Sequence, residues 1–172
     1  MALLAEEIVE EWLNRQGYFT IRGIKIGVQE LDLLAIRVLD KGELECRHIE
    51  VQASIKPVSY ISRVPKEIQK KFGRSSTSQK RREHEELASG VKEWVAKKYE
   101  HKEKLKLMRR LVNKEWTREL IVHNVAHPEE LEFIAKHNIK IIKLVDIITD
   151  IKTQKSVIEK AAGADLLDLV NF

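Results

Sequence analysis

Two short runs place acidic side chains inside otherwise apolar, β-branched sequence: QELDLLAI at 29–36 and HIEVQAS at 48–54. Side chains two apart on a strand share a face. If each run is a strand, Glu30 and Asp32 lie on one face of the first, with Leu31 and Leu33 opposite. Glu50 and Gln52 likewise share a face of the second, with Ile49 and Val51 behind them. The turn signal Asp40-Lys41-Gly42 between the runs implies an antiparallel hairpin, which brings Asp32 and Glu50 onto neighbouring strands. Two carboxylates so close in apolar surroundings repel each other and are poorly solvated. A hard divalent cation, Mg2+ or Mn2+, relieves both problems, because such ions use one or two carboxylates together with waters and substrate phosphate.

The elements that must position this pair follow from periodicity. Residues 3 to 16 read as an amphipathic helix, with Leu4, Ile8 and Trp12 on one face and Gly17 placed to end it. Strands are expected at 18–26, 30–39 and 44–53. Residues 56 to 114 turn helical and basic, with a loop at the run GRSSTS, 73 to 78. A strand is expected at 118–125 and a helix from Pro128 to about His137. A further strand is expected at 139–151, and a last amphipathic helix at 154–170, interrupted by Ala161-Ala162-Gly163. This order indicates an α/β (α+β layered) domain on a central mixed sheet flanked by helices. The 172 residues suffice for a single domain, 1–172, with a basic helical insert at about 56–114.

Charge is unevenly distributed. Residues 53 to 118 hold 19 Lys/Arg and 8 Asp/Glu, a net of +11, while the remainder nets −7. An acidic scaffold carrying a basic segment is the outline of a protein that meets polyanions. A solvated face rich in ion pairs is the plainer account of such a run. A single cysteine, Cys46, excludes an internal disulfide and fits a reducing compartment. The N-terminal residues lack a signal-peptide pattern, and no apolar run approaches the ~20 residues of a membrane span. A cytoplasmic or nuclear soluble protein with no membrane partner is the expectation. No P-loop, G-x-G-x-x-G, HExxH or CxxC occurs, which disfavours Walker-type hydrolysis and zinc chemistry.

The pair of runs resembles the PD-(D/E)XK nuclease superfamily, restriction-endonuclease-like proteins whose motif is an acidic residue on one strand and (D/E)-x-K on the next. The first half is closest to the E-(I/L/V)-D-(L/I)-(I/V)-A strand of Mrr-like endonucleases and archaeal Holliday-junction resolvases. The run AEEIVEEWLNRQGYF resembles the helix before the strands in the resolvase-like branch, and RELIVHNVAHPEELEFIAKHNIKIIKLVDII resembles the strand-helix-strand that closes Mrr-like cores. The likeness covers about residues 3–54 and 118–150. It implies a restriction-endonuclease-like core and metal-dependent hydrolysis of DNA phosphodiester bonds, on restriction or on junction and other structured substrates.

Carried over residue by residue, the metal would be held by Asp32, Glu50 and the main-chain carbonyl of Val51. Glu6 would be the accessory acid, with Glu7 as the fallback. The motif lysine falls on Gln52, which can orient a water but contributes no charge. DNA would be gripped through phosphates by Lys70, Lys71, Arg74, Lys80, Arg81 and Arg82; RNA is a second polyanion of the same chemistry. Nucleases of this kind often act as homodimers, one site per strand, although no interface is legible in the sequence.

The alternative is a non-catalytic nucleic-acid-binding module in which Gln52 marks decay of the site. A third reading is a helical interaction protein using the leucines and tryptophans of 56–114. Glu30 is expected at the surface, His48 in packing, His84 in solvent, and Trp12, Trp94 and Trp116 as anchors.

Overall fold

The computed structural model describes residues 2–54, 56–153 and 157–158. Its elements run α1 (Ala2–Arg15), β1 (Phe19–Ile26), β2 (Gln29–Val38), β3 (Leu44–Gln52), α2 (Lys66–Phe72), α3 (His84–Lys98), α4 (Lys102–Leu111), β4 (Thr117–Val122), α5 (Glu129–Ala135), β5 (Ile139–Lys143) and α6 (Leu144–Thr153). The five strands form one mixed sheet in the order β1-β2-β3-β4-β5. The first three are antiparallel, and β4 and β5 run parallel to β3. The expected α+β layered architecture is therefore the one observed. Among the described residues, no helix is long and apolar enough to cross a membrane.

Parallel pairing of β3 with β4 requires a crossover long enough to bring the chain back to the same end of the sheet. The basic stretch between them supplies it through α3 and α4. α1 and α6 cover one face, packing Ile8, Val9 and Leu13 against Leu33, Ile49, Val51 and Ile121. α3 and α5 cover the other, with Val91, Val95 and Ile134 on Leu120 and Val122. Sandwiched between two helical layers, β4 reads Leu120-Ile121-Val122 without alternation, as a strand buried on both faces must. An ion pair inside the first layer, Arg47 with Glu119 at 2.6 and 2.9 Å, is roofed by the rings of Trp12 and Tyr18.

Two expectations are corrected. The apolar run at 139–151 is not one strand: β5 ends at Lys143 and α6 begins at Leu144. Leu144, Ile147, Ile148 and Ile151 recur at helical spacing, and that period wins over the isoleucine content, since these residues pack on α1. Leu31 and Leu33 do not share a cluster either. Leu33 joins the α1 layer, whereas Leu31 packs with Leu34 and Met108 of α4. The change of face coincides with Gly23 in the register opposite Asp32, at φ 66° in the left-handed region that glycine tolerates. A Cβ there would meet nothing within 4 Å, so the requirement is conformational rather than spatial. The helix expected at 154–170 lies outside the described residues but for 157–158, which form a bend.

Candidate active site at the fork of β2 and β3

Pairing of β2 with β3 runs from Val38↔Leu44 to Leu33↔Ile49, and one step further stand Asp32 and Glu50. Here the strands part. β2 continues along β1 to Gln29, and β3 continues along β4 to Gln52. The fork leaves the Val51 N–H without a ladder acceptor, and Asp32 Oδ2 accepts it at 2.9 Å. A strand residue's N–H and C=O face the same neighbour, so the Val51 carbonyl lies on the Asp32 side of β3. The hairpin thus brings Asp32 and Glu50 onto neighbouring strands, as the alternation and the turn at 40–42 implied.

Glu50 is fully buried. Its Oε1 receives Lys104 Nζ at 3.1 Å and lies 3.3 Å from His48 Nε2. Its Oε2 is bound by Lys98 Nζ, which also stands 3.7 Å from Asp32 Oδ1. Two lysines from the crossover helices thus converge on Glu50. Lys104 itself is buried and anchored by a second bond to the Lys98 carbonyl at 3.0 Å. His48 packs on Tyr99, whose hydroxyl donates to the Glu119 carbonyl at 2.7 Å.

The electrostatics follow from this wiring. Burial pushes the Asp32 carboxyl up, the Glu50 charge pushes it further, and it titrates at about 7 in spite of Lys98 and the Val51 N–H. Burial acts on Glu50 in the same sense, but His48, Lys98 and Lys104 outweigh it and hold Glu50 well below the ordinary carboxylate range. Lys98 is raised, because Glu50 and Asp32 overcome its desolvation. Lys104 is lowered, since burial outweighs its bond to Glu50. His48 is lowered by burial and is therefore neutral. As Glu50 can only accept, the His48 proton must sit on Nε2.

Asp32 has a pH signature. Its folded value of about 7 stands above the 3.8 of an unperturbed aspartate. The folded protein therefore binds a proton that the unfolded chain releases, and metal-free stability rises as pH falls from about 7 toward 4. Urea denaturation across that window should show this rise in the wild type and its absence in Asp32→Asn. Parallel curves for the two proteins would refute it.

The other expected residues are placed as follows. Glu6 of α1 is half-buried, raised by burial, and within electrostatic reach of Lys98 and Glu50, but among the described residues it forms no hydrogen bond or ion pair. Glu7 is committed to Arg22 at 3.2 Å. Gln52 is half-buried on the Glu50 side of β3 and makes no hydrogen bond among the described residues. Glu30 is exposed beside β1, opposite Lys25. His84 is exposed and edge-on to Phe133. Trp12 and Trp94 are buried, and Trp116 packs at the edge of the Met108 cluster. Of the basic residues, Lys70, Lys71, Lys80 and Arg81 are exposed. Arg74 instead chelates Glu86 at 2.9 and 3.0 Å, and Arg82 is buried.

Sequence reasoning missed Lys98 and Lys104, yet a signal was present. Leu87, Val91 and Trp94 step along one face of α3, and Lys98 takes the next core-facing position. Lys104 likewise lies four residues before Met108, on the buried face of α4.

The donor set fits one hard divalent cation. Among the described residues no donor hydrogen-bonds Asp32 Oδ1, and Glu50 Oε2 faces it across the Lys98 ammonium, whose side chain is 21% exposed and has solvent to move into. A doubly charged ion between the two oxygens would neutralise what Lys98 now neutralises singly. Among the described residues, no group of three or more carboxylate, histidine or cysteine side chains converges to hold a metal. The fit is therefore to a two-carboxylate site completed by a carbonyl and waters. No family model, curated protein or solved structure matches the chain.

Proposed function

We propose that the chain is a metal-dependent DNA endonuclease of the PD-(D/E)XK type in which Lys98 takes the part of the motif lysine. The observation that carries this reading is a lysine ammonium lying between Asp32 and Glu50 at the fork of two strands. A bound Mg2+ or Mn2+ would lower the pKa of a water and offset charge building on the phosphorane and on the leaving oxygen. Asp32 and Glu50 would hold that ion, with the Val51 carbonyl beside them. Released from the carboxylates, Lys98 would keep its proton, orient the attacking water and place a positive charge beside the reacting phosphate. Lys104 and His48 would fix the Glu50 rotamer from behind. Glu6 would stand at the outer edge of the site, positioned to order hydrating water. Gln52, on this reading, contributes little.

Decay to a binding module is less well supported. A decayed site has no use for a buried lysine and a half-buried one converging on one buried glutamate. Cleavage assays in Mg2+ or Mn2+ on plasmid, linear duplex, flap, four-way junction and RNA substrates test the reading. Activity lost in both Asp32→Ala and Glu50→Ala supports it, and wild-type cutting by both variants sinks it.

DNA would be held without sequence readout by the exposed Lys70, Lys71, Lys80 and Arg81. Four phosphate contacts release enough counterions for the logarithm of affinity to fall with the logarithm of salt at a slope of about −3 to −4. Fluorescence anisotropy from 50 to 300 mM salt reads this directly, and a flat dependence removes the phosphate grip.

A further inference from the structure

A second polar site lies at the opposite end of α3 from Lys98. The 59–63 and 76–82 loops enclose a recess of about 280 Å3 whose lining includes Ser62, Ser76, Thr77, Ser78, Arg63 and Arg82, and no carboxylate. Arg82 is its unusual member. It is only 5% exposed, its Nη1 donates to the Ser62 carbonyl and hydroxyl at 3.1 Å each, and its Nε has no acceptor. It forms no ion pair among the described residues. Glu130, the carboxylate whose charge acts on it most strongly, spends both oxygens on the Ile61 N–H, the Ser62 N–H and the Ser62 hydroxyl.

A guanidinium taken out of water without a paired anion is costly, yet this one is held with care. Tyr60 is stacked on one face by His127, with ring centroids 4.1 Å apart and planes 4° from parallel, and carries the Arg82 guanidinium at 3.9 Å on the other. Glu130 pins the Ser62 backbone against which Arg82 rests. The result is a fixed guanidinium with an unpartnered Nε at the wall of a recess lined by the hydroxyls of Ser76, Thr77 and Ser78, the Ser62 hydroxyl being spent on Glu130 behind it. That is the chemistry that recognises a tetrahedral oxyanion, since guanidinium matches phosphate geometry and hydroxyls donate to the remaining oxygens.

We propose that this recess binds a phosphate group of the nucleic-acid strand and anchors it at a distance from the reacting centre. The identity of the phosphate's carrier rests on the nuclease reading, whereas the oxyanion chemistry rests on the recess alone. The 15 residues of α3 put about 21 Å between the recess and Lys98. At 3.4 Å of axis per nucleotide, that span is about six nucleotides. The anchored group is an internal phosphodiester or a terminal 5′-phosphate, two sources of one chemistry. The basic residues singled out by sequence thus divide: Lys80 and Arg81 are exposed on the same loop, and Arg82 supplies the fixed donor within.

The test is an NMR titration of the full chain in EDTA, so that neither metal nor hydrolysis is needed. The probes are inorganic phosphate, then one duplex oligonucleotide with and without its 5′-phosphate. Saturable shifts of the Arg82 Nε–H and of the Thr77 and Ser78 amides are expected with inorganic phosphate and with at least one duplex. Response to both duplexes identifies a backbone phosphodiester, and response to the phosphorylated duplex alone identifies a terminal group. Thr77 is exposed, so Thr77→Glu puts a negative charge at the mouth without disturbing the core, and it should weaken those shifts at least tenfold. Inorganic phosphate that leaves these signals unmoved overturns the site. Phosphate binding with no response to either duplex overturns the nucleic-acid source. A protein that shows the expected shifts here but never cuts in Mg2+ keeps the anchor and loses the nuclease assignment.

Discussion

Replacing Lys98 with methionine will abolish cleavage while leaving the protein folded. Methionine nearly conserves the volume, and Glu50 keeps Lys104 and His48 as partners, so the core is not left with a bare carboxylate. What is lost is the ammonium that stands within 4 Å of both Asp32 and Glu50. A positioned acid–base or electrostatic group of this kind is worth about 10²- to 10⁴-fold in rate. Mg2+ affinity should hold or tighten, because the ion no longer displaces a bound cation. Lys98→Arg should restore part of the rate, since it returns the charge with a different reach. Gln52→Ala, made in parallel, should stay within about tenfold of wild type. Were Gln52→Ala to be dead and Lys98→Met active, the water-orienting role would return to β3.

The second large effect concerns stability. Glu50→Gln removes the only carboxylate contact that the buried Lys104 has among the described residues, and the nearer carboxylate partner of Lys98. Breaking a buried pair by deleting one member costs about 3–5 kcal/mol, because the surviving charge stays desolvated. Lys104 is already lowered by burial, and losing the Glu50 charge lowers it further. The variant should unfold at markedly lower urea, with the deficit growing as pH falls and Lys104 is forced to protonate. Adding Lys104→Met should recover a measurable share, and the double-mutant cycle isolates that coupling. A Glu50→Gln protein as stable as wild type would mean that the cluster is solvated, contrary to its burial.

The sequence made the hairpin, the two carboxylates and the layered class legible because each depends on local order. A period of two with a turn between places Asp32 beside Glu50 wherever the rest of the chain goes. Lys98 and Lys104 escaped because they meet Glu50 across 48 and 54 residues, a proximity fixed by the crossover and not by any spacing. Each nonetheless sat at a core-facing position of its helix, where a lysine asks for a buried anion. Arg82 escaped for the opposite reason. Amid KRR it looked like one more surface cation, and only the fold of the 59–63 loop covers it. The strand expected at 139–151 failed where composition was read ahead of period.

The proposed nuclease chemistry depends on a divalent metal held at the fork of β2 and β3. Titration calorimetry with Mn2+ on the wild type and on Asp32→Asn tests it most directly. Asparagine keeps an acceptor for the Val51 N–H but removes the charge that a metal needs. The wild type should take up Mn2+ at pH 8, bind it about tenfold more weakly for each pH unit below 7 as Asp32 gains its proton, and Asp32→Asn should not bind at either pH. Binding of equal strength by both proteins, or none by either, would contradict the account.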